Sequence, residues 1–230
     1  MTDDNDQRRW RNKLIAGTDE RQLTQRVKKK KLKESSKKWV ERQLNDPYVA
    51  KARAEGYRAR AAFKLIELDA EVHFLKRGAR VIDLGAAPGG WAQVAVQRGC
   101  AVVGIDLLPI DPLAGATFLE MDFLSDQAEA ALLQTLGGAP DVVLSDMAAN
   151  TTGHAKTDQI RTGALAEAAA EFALKHLAPG GTFVTKAFQG GLDGALLAQL
   201  KQNFATVKHA KPPASRSESP EVYVVASGRK

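Results

Sequence analysis

The sequence predicts an α/β fold in which a mostly parallel sheet is covered by helices on both faces. From residue 80 onwards, short apolar runs rich in Val and Ile alternate with Ala- and Leu-rich stretches of helical character, as they do where helices connect parallel strands. A glycine-rich turn at residues 85–90 follows the first apolar run and precedes a helical stretch. The two closing apolar runs are joined by a short loop alone, which predicts a hairpin and therefore one antiparallel strand.

Seven strands and the helices between them follow from these patterns. The predicted strands span residues 81–84, 101–107, 117–123, 142–146, 182–188, 207–210 and 222–226. The predicted helices span residues 91–97, 126–136, 158–177 and 193–203, and one or two further helices lie between residues 50 and 69. Glycine pairs at 137–138 and 190–191 end or separate these elements, and a polar loop is expected at 148–157.

Charge is distributed unevenly and divides the chain into two parts. Residues 1–64 carry 19 Lys and Arg against 9 Asp and Glu, residues 65–200 carry 8 against 16, and residues 201–230 carry 6 against 2. Residues 1–45 hold few large apolar side chains, so we predict a basic, disordered extension followed by one domain at 46–230. Basic ends around an acidic middle favour a polyanionic partner, although a solvated tail without a partner fits the extension equally well.

Cysteine and histidine content argues against a disulfide framework and a metal site. Cys100 is the only cysteine, and the four histidines are too scattered to form a ligand pair at helical spacing. The N-terminus shows no basic and then apolar leader, and no apolar run approaches the ~18 residues of a membrane span. We therefore expect a cytoplasmic protein with no bound metal and no membrane association.

The glycine-rich turn is typical of a nucleotide-type cofactor site but fits neither common fingerprint. Gly85, Gly89 and Gly90 do not have the G-x-G-x-x-G spacing, and no Gly-Lys-Ser/Thr follows to cradle phosphates. Asp83 precedes the turn within the predicted strand. This combination indicates a cofactor that is held through its adenosine and a charged amino-acid part.

Three more aspartates lie at the ends of the next predicted strands, namely Asp106, Asp122 and Asp146. In open α/β sheets, ligands bind at the carboxyl ends of the strands, and an acidic residue after the second strand can accept hydrogen bonds from ribose hydroxyls. Each aspartate alone could be a turn former. Together with Asp83, however, they predict a shared cofactor site.

Lys186 is the most unusual residue, because it interrupts the apolar run 182–188, where lysine is depleted and seldom buried. A lysine at a strand end can also reach solvent along its methylene chain. Asp146, at the end of the neighbouring predicted strand, is the natural counter-charge if the ammonium faces the cleft. We therefore predict that Lys186 and Asp146 meet at the ligand-binding edge of the sheet.

Four segments together resemble the FtsJ-type ribosomal RNA 2′-O-ribose methyltransferases, which are S-adenosylmethionine-dependent enzymes with the Rossmann-like class I methyltransferase fold. The segments are Asp83-Leu84-Gly85-Ala86-Ala87-Pro88-Gly89-Gly90-Trp91, Asp106-Leu107-Leu108-Pro109, Ser145-Asp146-Met147-Ala148-Ala149-Asn150 and Ser215-Arg216…Glu221-Val222-Tyr223. The likeness extends in order over residues 50–230. It departs from the family pattern at Ala149, where proline is common, and in the longer basic segment before residue 45.

The resemblance implies a set of site residues. The Lys-Asp-Lys-Glu catalytic set of the family falls on Lys64, Asp146, Lys186 and Glu221, with Glu218 as a rival for the last position. The cofactor residues of the family fall on Gly89, Trp91, Asp106, Asp122 and Asp146, to which the position of the turn adds Asp83, Gly85 and Gly90. We expect RNA to be bound, mostly through phosphates, by Arg58, Arg60, Lys211 and Arg216.

The implied reaction transfers the sulfonium methyl of S-adenosylmethionine to a ribose 2′ oxygen by in-line displacement. The implied substrate is a uridine in the peptidyl-transferase A loop of large-subunit (23S) rRNA, within the assembled or assembling subunit, and the enzyme is expected to be a monomer. Lys186 would act as a base or as an orienting group. Flanking carboxylates stabilise the charged lysine and make it a worse base, which favours alignment over deprotonation.

Three other functions remain open at this point. A nicotinamide-dependent oxidoreductase would use a similar sheet, but its G-x-G-x-x-G is missing. A 2′-O-methyltransferase of tRNA or of an mRNA cap would share the catalytic set. A non-catalytic ribosome-assembly protein that binds RNA would keep the fold without needing that set.

Deleting residues 1–45 should weaken binding to RNA or to ribosomal subunits, and more at low salt than at high salt, because lysines bind phosphates with counterion release. Filter binding of the full chain and of residues 46–230 at several salt concentrations measures this difference. Equal affinity of the two proteins at low salt would show that the extension does not bind RNA.

Overall fold

A computed structural model describes residues 37, 40, 41, 43–149, 152–188 and 194–230. The predicted basic extension lies mostly outside these residues, as do Asn150, the glycine pair 190–191 and Asp193. The few described residues of the extension are helical up to Leu44, and the division of the chain at residue 45 stays a prediction. Within the described part of the chain, no helix combines the length and the apolar character needed to cross a membrane.

Helices and strands alternate from Arg80 onwards, which confirms the predicted α/β class. The helices are α1 (Pro47–Ala54), α2 (Ala62–Val72), α3 (Gly90–Gln97), α4 (Ala128–Leu136), α5 (Ala155–His176) and α6 (Gly194–Asn203). The strands are β1 (Arg80–Leu84), β2 (Ala101–Asp106), β3 (Ala116–Glu120), β4 (Val142–Ser145), β5 (Thr182–Phe188), β6 (Phe204–Ala210) and β7 (Glu221–Arg229).

Several predicted bounds are wrong by three residues, and the side chains explain two of them. Among the others, strand β6 begins at Phe204 instead of residue 207, and strand β7 ends at Arg229 instead of residue 226. Strand β3 ends at Glu120, so Asp122 follows the strand instead of lying in it. There the Asp122 carboxylate accepts a hydrogen bond from the Leu124 amide (2.9 Å), which turns the chain. Helix α5 begins at Ala155, three residues before the predicted start, and Asp158 in its first turn accepts hydrogen bonds from the amide (2.8 Å) and hydroxyl (2.7 Å) of Thr152. The predicted loop 148–157 is correspondingly shorter.

All seven strands belong to one sheet with the order β3-β2-β1-β4-β5-β7-β6. Strands β1 to β5 pair in parallel, and β7 runs antiparallel to both β5 and β6. The predicted mostly parallel sheet with one antiparallel strand near the C-terminus is therefore confirmed. The strand order reverses between β1 and β4, and ligands bind beside this point at the carboxyl edge of such sheets.

Successive strand residues face two different apolar layers, as the pleat requires. Phe183 of β5 packs in the layer formed with α4, α5 and α6, whereas Val184 packs in the layer formed with α2 and α3. Tyr223 of β7 also belongs to the α2–α3 layer. By the same alternation, Lys186 faces that layer, where α2 lies opposite the sheet.

The glycine-rich turn packs tightly against the segment that follows β4. Gly85 and Gly89 have φ angles of 76° and 99°, which glycine adopts without steric cost. A Cβ at Gly85 would lie 2.7 Å from Cγ and 3.1 Å from Cα of Met147. The turn therefore requires glycine at position 85 both for its backbone conformation and for this close approach.

Candidate active site

The four residues predicted to be catalytic come together at the carboxyl edge of the sheet. Lys186 Nζ lies 3.2 Å from Asp146 Oδ1 and donates a hydrogen bond to the Asp146 carbonyl (2.6 Å). Lys64 Nζ lies 3.9 Å from Asp146 Oδ2. Its distances to Glu221 Oε1 and Oε2 are 2.8 and 2.9 Å. The four side chains thus form a continuous row of alternating charges, from Lys186 through Asp146 and Lys64 to Glu221.

Strand register explains why these residues meet. Lys186 of β5 pairs with Tyr223 of β7, and Phe188 pairs with Glu221, so Glu221 and Tyr223 lie two residues apart on the face that Lys186 shares. Asp146 directly follows Ser145, the last β4 residue, which pairs with Thr185 next to Lys186. Helix α2, packed on this face, contributes Lys64.

Tyr223 is a site residue to which the sequence analysis gave no role beyond the resemblance. Its hydroxyl donates a hydrogen bond to Asp146 Oδ1 (2.6 Å) and accepts one from Lys64 Nζ (3.0 Å). The side chain is fully buried. Burial, and after it the negative charges of Asp146 and Glu221, hold the pKa of Tyr223 well above its usual value, so the phenol stays protonated. Its place two residues after Glu221 on a strand was the signal that could have identified it.

Two lysines and two carboxylates share this poorly hydrated space. The Lys64 and Lys186 side chains are 10% and 8% exposed, against 19% for Asp146 and 14% for Glu221. Burial alone would raise the pKa of Asp146. The charges of Lys186 and Lys64, together with the hydrogen bond from Tyr223, outweigh burial and lower that pKa below its usual value. Asp146 is therefore ionised at neutral pH.

Glu221, and not its rival Glu218, contacts Lys64 and ends the row of charges. Ser215 Oγ donates a hydrogen bond to Glu221 Oε1 (2.7 Å), and Ser215 is only 3% exposed. Glu218 is exposed in the loop before β7, where the Ser217 hydroxyl donates to it (3.2 Å). The Glu221 carboxylate is thus held between a buried hydroxyl and the Lys64 ammonium.

Most of the predicted cofactor residues lie in or beside the glycine-rich turn, and Asp122 follows β3 next to Met121, whose amide donates to the Asp106 carbonyl (2.9 Å). Asp106 accepts hydrogen bonds from the amides of Ala87 in the turn and Leu108 after β2 (both 2.9 Å). Trp91 is 3% exposed, and its indole N–H donates to the Ala61 carbonyl (2.8 Å), which joins α3 to the start of α2. Asp122 is exposed in its own turn beyond β3.

Asp83 lies buried beneath the turn and is 1% exposed. Neither of its carboxylate oxygens makes a full hydrogen bond to another described residue, and the Ala92 amide is the backbone donor that approaches it. Burial, and then the negative charge of Asp146, raise the pKa of Asp83 to about 7, although the Ala92 amide opposes the shift. Asp83 therefore changes its charge near neutral pH.

The four residues predicted to bind RNA all have partners within the protein. Arg58 donates to the carbonyls of Asp111 and Pro112 (both 2.7 Å), and Lys211 donates to the Ser219 carbonyl (2.7 Å). Arg60 and Arg216 both contact the Asp46 carboxylate, at 3.0 and 2.9 Å. Their role in RNA binding stays a prediction.

Among the residues that the structure describes, no group of three or more His, Cys, Asp or Glu side chains could hold a metal ion.

The sheet order, the reversed seventh strand and the site at the carboxyl edge define a Rossmann-like methyltransferase fold. Residues 57–229 match the family model of the FtsJ-like methyltransferases. The chain belongs to this family, which confirms the resemblance and removes the oxidoreductase alternative.

Curated relatives and a solved structure are similar over most of the chain. A Ribosomal RNA large subunit methyltransferase E of Acidiphilium cryptum is 62% identical over 200 residues, which are 86% of this chain and 89% of the relative. A relative of the same name from Hyphomonas neptunium is 55% identical over 232 residues, with 99% of both chains covered. A solved structure described as a ribosomal RNA methyltransferase of Plasmodium falciparum is 31% identical, with a TM-score of 0.64, over 75% of this chain and 98% of that chain.

Asp83→Asn should stabilise the ligand-free protein above neutral pH. An unfolded Asp83 ionises near pH 3.8, whereas the folded group ionises near 7. The native state therefore loses stability as the pH rises between these values, by roughly 4 kcal/mol at about 1.4 kcal/mol per pKa unit. Thermal unfolding of both proteins between pH 4 and 9 measures the effect. The advantage of the variant should grow up to about pH 7 and then stay constant, and a difference independent of pH would contradict the assignment.

Proposed function

We propose that this protein transfers the methyl group of S-adenosylmethionine to the 2′-hydroxyl of a ribose in large-subunit (23S) rRNA, with a uridine of the A loop as the target. The observation that carries the proposal is the buried row of Lys186, Asp146, Lys64 and Glu221 at the carboxyl edge of the sheet. It occurs in a chain that is 55–62% identical to relatives named as large-subunit rRNA methyltransferases, and this names the substrate class.

The residues around the glycine-rich turn suit S-adenosylmethionine. Gly85 and Gly89 add no side chain at two positions of the turn, and Asp83 beneath it makes no full hydrogen bond with either carboxylate oxygen among the described residues. A buried carboxylate without a partner is stabilised by a cation, and the α-ammonium of the methionine part is such a cation. Asp106, at the end of β2, is placed to accept ribose hydroxyls of the adenosine part. When bound, S-adenosylmethionine supplies a methyl group on a positively charged sulfur.

Lys186 is proposed to position the ribose hydroxyl. Among the described residues, its ammonium contacts the carbonyl and the carboxylate of Asp146. An ammonium has three N–H donors, and two contacts from one residue fix the direction of the third. That donor can orient a hydroxyl so that an oxygen lone pair points at the methyl group. Alignment of this kind lowers the activation barrier for methyl transfer, because the reacting groups no longer lose orientational entropy in the transition state.

Asp146, Tyr223 and Lys64 are proposed to keep Lys186 in place. The Asp146 Oδ1 atom receives both Lys186 (3.2 Å) and the Tyr223 hydroxyl (2.6 Å). Lys64 donates to that hydroxyl (3.0 Å) and also contacts Glu221. The ribose proton would pass to water as the oxygen takes the methyl group, and the two nearby ammonium groups would stabilise the negative charge that develops on this oxygen.

Transfer of a tritiated methyl group from S-adenosylmethionine tests the proposal. Large subunits from cells that lack this activity, free 23S rRNA and tRNA are compared as substrates, and the labelled nucleotide is mapped by alkaline hydrolysis, which 2′-O-methylation blocks. We expect label at one uridine ribose of the large-subunit RNA. Label on a base or only on tRNA would contradict the proposal, and no label on any RNA would favour a non-catalytic assembly role.

Lys186→Ala should lower the rate of methyl transfer by roughly 100-fold or more. Its affinity for S-adenosylmethionine should stay within about twofold of that of the wild-type protein. The reason is that Lys186 orients the acceptor and not the donor. Lys175→Ala is the matched control, because it removes an exposed lysine that pairs with Glu129 (2.6 Å) far from the site residues. Single-turnover methyl transfer and calorimetric titration of the cofactor measure the two quantities, and normal turnover by Lys186→Ala would show that the assignment is wrong.

A further inference from the structure

We propose that Asp46, Arg60 and Arg216 are positioning residues that hold the loop before β7 and thereby fix Glu221 on Lys64, an inference that rests on the proposed function of the catalytic row. These three residues lie outside that row, and the sequence assigns the two arginines to RNA binding. The contacts in the structure favour a different role, because they link the loop at 211–220 to α1 and α2.

Asp46 is the centre of this cluster and is only 8% exposed. Its Oδ1 accepts the Tyr48 amide (3.0 Å) and caps α1, whose first residue is Pro47. Its Oδ2 lies 3.0 Å from Arg60 Nε, an ion pair without hydrogen-bond geometry, and accepts hydrogen bonds from Arg216 Nε and Nη2 at 3.1 and 2.9 Å. One buried carboxylate therefore joins a helix start, the segment before α2 and the loop before β7.

The loop is also held by its backbone. Arg60 donates to the Ala214 carbonyl (2.5 Å), and the Ala214 amide donates to Glu67 Oε2 (2.7 Å). Ala214 itself is fully buried against Phe63 and Ala52. The backbone N–H and C=O groups of Ala214 are thus bound by Glu67 of α2 and by Arg60, two residues before α2, which fixes the loop in one place.

The adjacent residue transmits this placement to the catalytic row. Ser215 lies between Ala214 and Arg216, and its hydroxyl donates to Glu221 Oε1 (2.7 Å). The same oxygen lies 2.8 Å from Lys64 Nζ. Arg60 lies in the turn that leads into α2, and Lys64 and Glu67 lie within α2. The three residues follow one another at spacings of four and three residues, so they lie on one side of this helical region. This side carries both the catalytic lysine and the groups that hold the loop.

Replacing the Asp46 carboxylate separates the two roles of the arginines. Asp46→Asn retains an oxygen for the Tyr48 amide but places an amide donor against two guanidinium groups. If the arginines position the loop, this change moves Ser215 and Glu221 and slows catalysis. If they bind RNA phosphates, the same change releases two arginines from an ion pair and does not weaken RNA binding.

The first experiment measures methyl transfer to undermodified large subunits by Asp46→Asn, Arg216→Ala and Ser215→Ala. We expect kcat to fall roughly 10- to 100-fold in the first two variants and less in the third, because an acceptor-site group has shifted. We expect KM for the subunit and cofactor affinity to stay within about twofold. The double variant Asp46→Asn/Arg216→Ala should be no slower than the slower of its two single variants. Arg216→Lys should recover part of the activity that Arg216→Ala loses. Arg80→Ala, which removes an arginine paired with Asp141 (3.6 Å), is the control and should retain kcat.

Two results would overturn the proposal. A normal kcat in Asp46→Asn would show that the cluster does not position the site. A raised KM with unchanged kcat in Arg216→Ala would be the second such result, if the slope of log affinity against log salt concentration also falls by about one. Together these two changes would show that Arg216 contacts an RNA phosphate.

A second readout does not depend on methyl transfer, so failure of the proposed function can be told apart from failure of this inference. Lys64 is 8% exposed and Lys186 is 7% exposed, and competitive acetylation followed by mass spectrometry measures the reactivity of both in the same sample. If the cluster positions Glu221, Asp46→Asn should increase labelling of Lys64 relative to Lys186 by about tenfold. An unchanged ratio would contradict the inference even if the wild-type protein methylates RNA.

Discussion

The rest of the site depends on the contacts that the Asp146 carboxylate makes with three other side chains. Lys186, Tyr223 and Lys64 approach it from β5, β7 and α2, and no two of them share an element. A buried charge without partners costs several kcal/mol, so each of these elements must be in place for the ionised carboxylate to be stable. The convergence of three elements on one carboxylate links the packing of the sheet edge directly to the geometry of the catalytic row.

The antiparallel direction of β7 makes this convergence possible. The parallel strands β1, β4 and β5 end at the carboxyl edge, whereas β7 begins there. The first residues of β7, Glu221 and Tyr223, therefore lie at the same edge as Lys186, and the loop before β7 is delivered to the site as well. A parallel seventh strand would place its first residues at the opposite edge, away from Asp146. The reversed strand is thus a requirement of the site and not only a property of the fold.

Two of the four charged residues could be predicted because they break local patterns, whereas Lys64 and Glu221 were predicted only from the family resemblance. Lys186 interrupts an apolar run, and Asp146 ends the neighbouring strand, so the pairing of the two follows from sheet geometry alone. Tyr223 and Asp46 break no local pattern, since a buried tyrosine in a strand and an aspartate before a proline are both ordinary, and Tyr223 could be identified only by its place two residues after Glu221. Their roles depend on contacts with residues far away in sequence. The basic residues were visible as charge, but sequence could not show that Asp46 binds Arg60 and Arg216.

The two buried aspartates on the β1–β4 side of the edge respond to burial in opposite ways. Asp146 has cations on either side, and its pKa is lowered, whereas Asp83 makes no full hydrogen bond to another described residue, and its pKa is raised to about 7. The charge of Asp146 is itself one cause of the raised pKa of Asp83. A cation that reaches the glycine-rich turn therefore favours the ionised form of Asp83, whereas Asp146 is already ionised. The proposed cofactor site at the turn and the charged row are therefore coupled through the charge of Asp146.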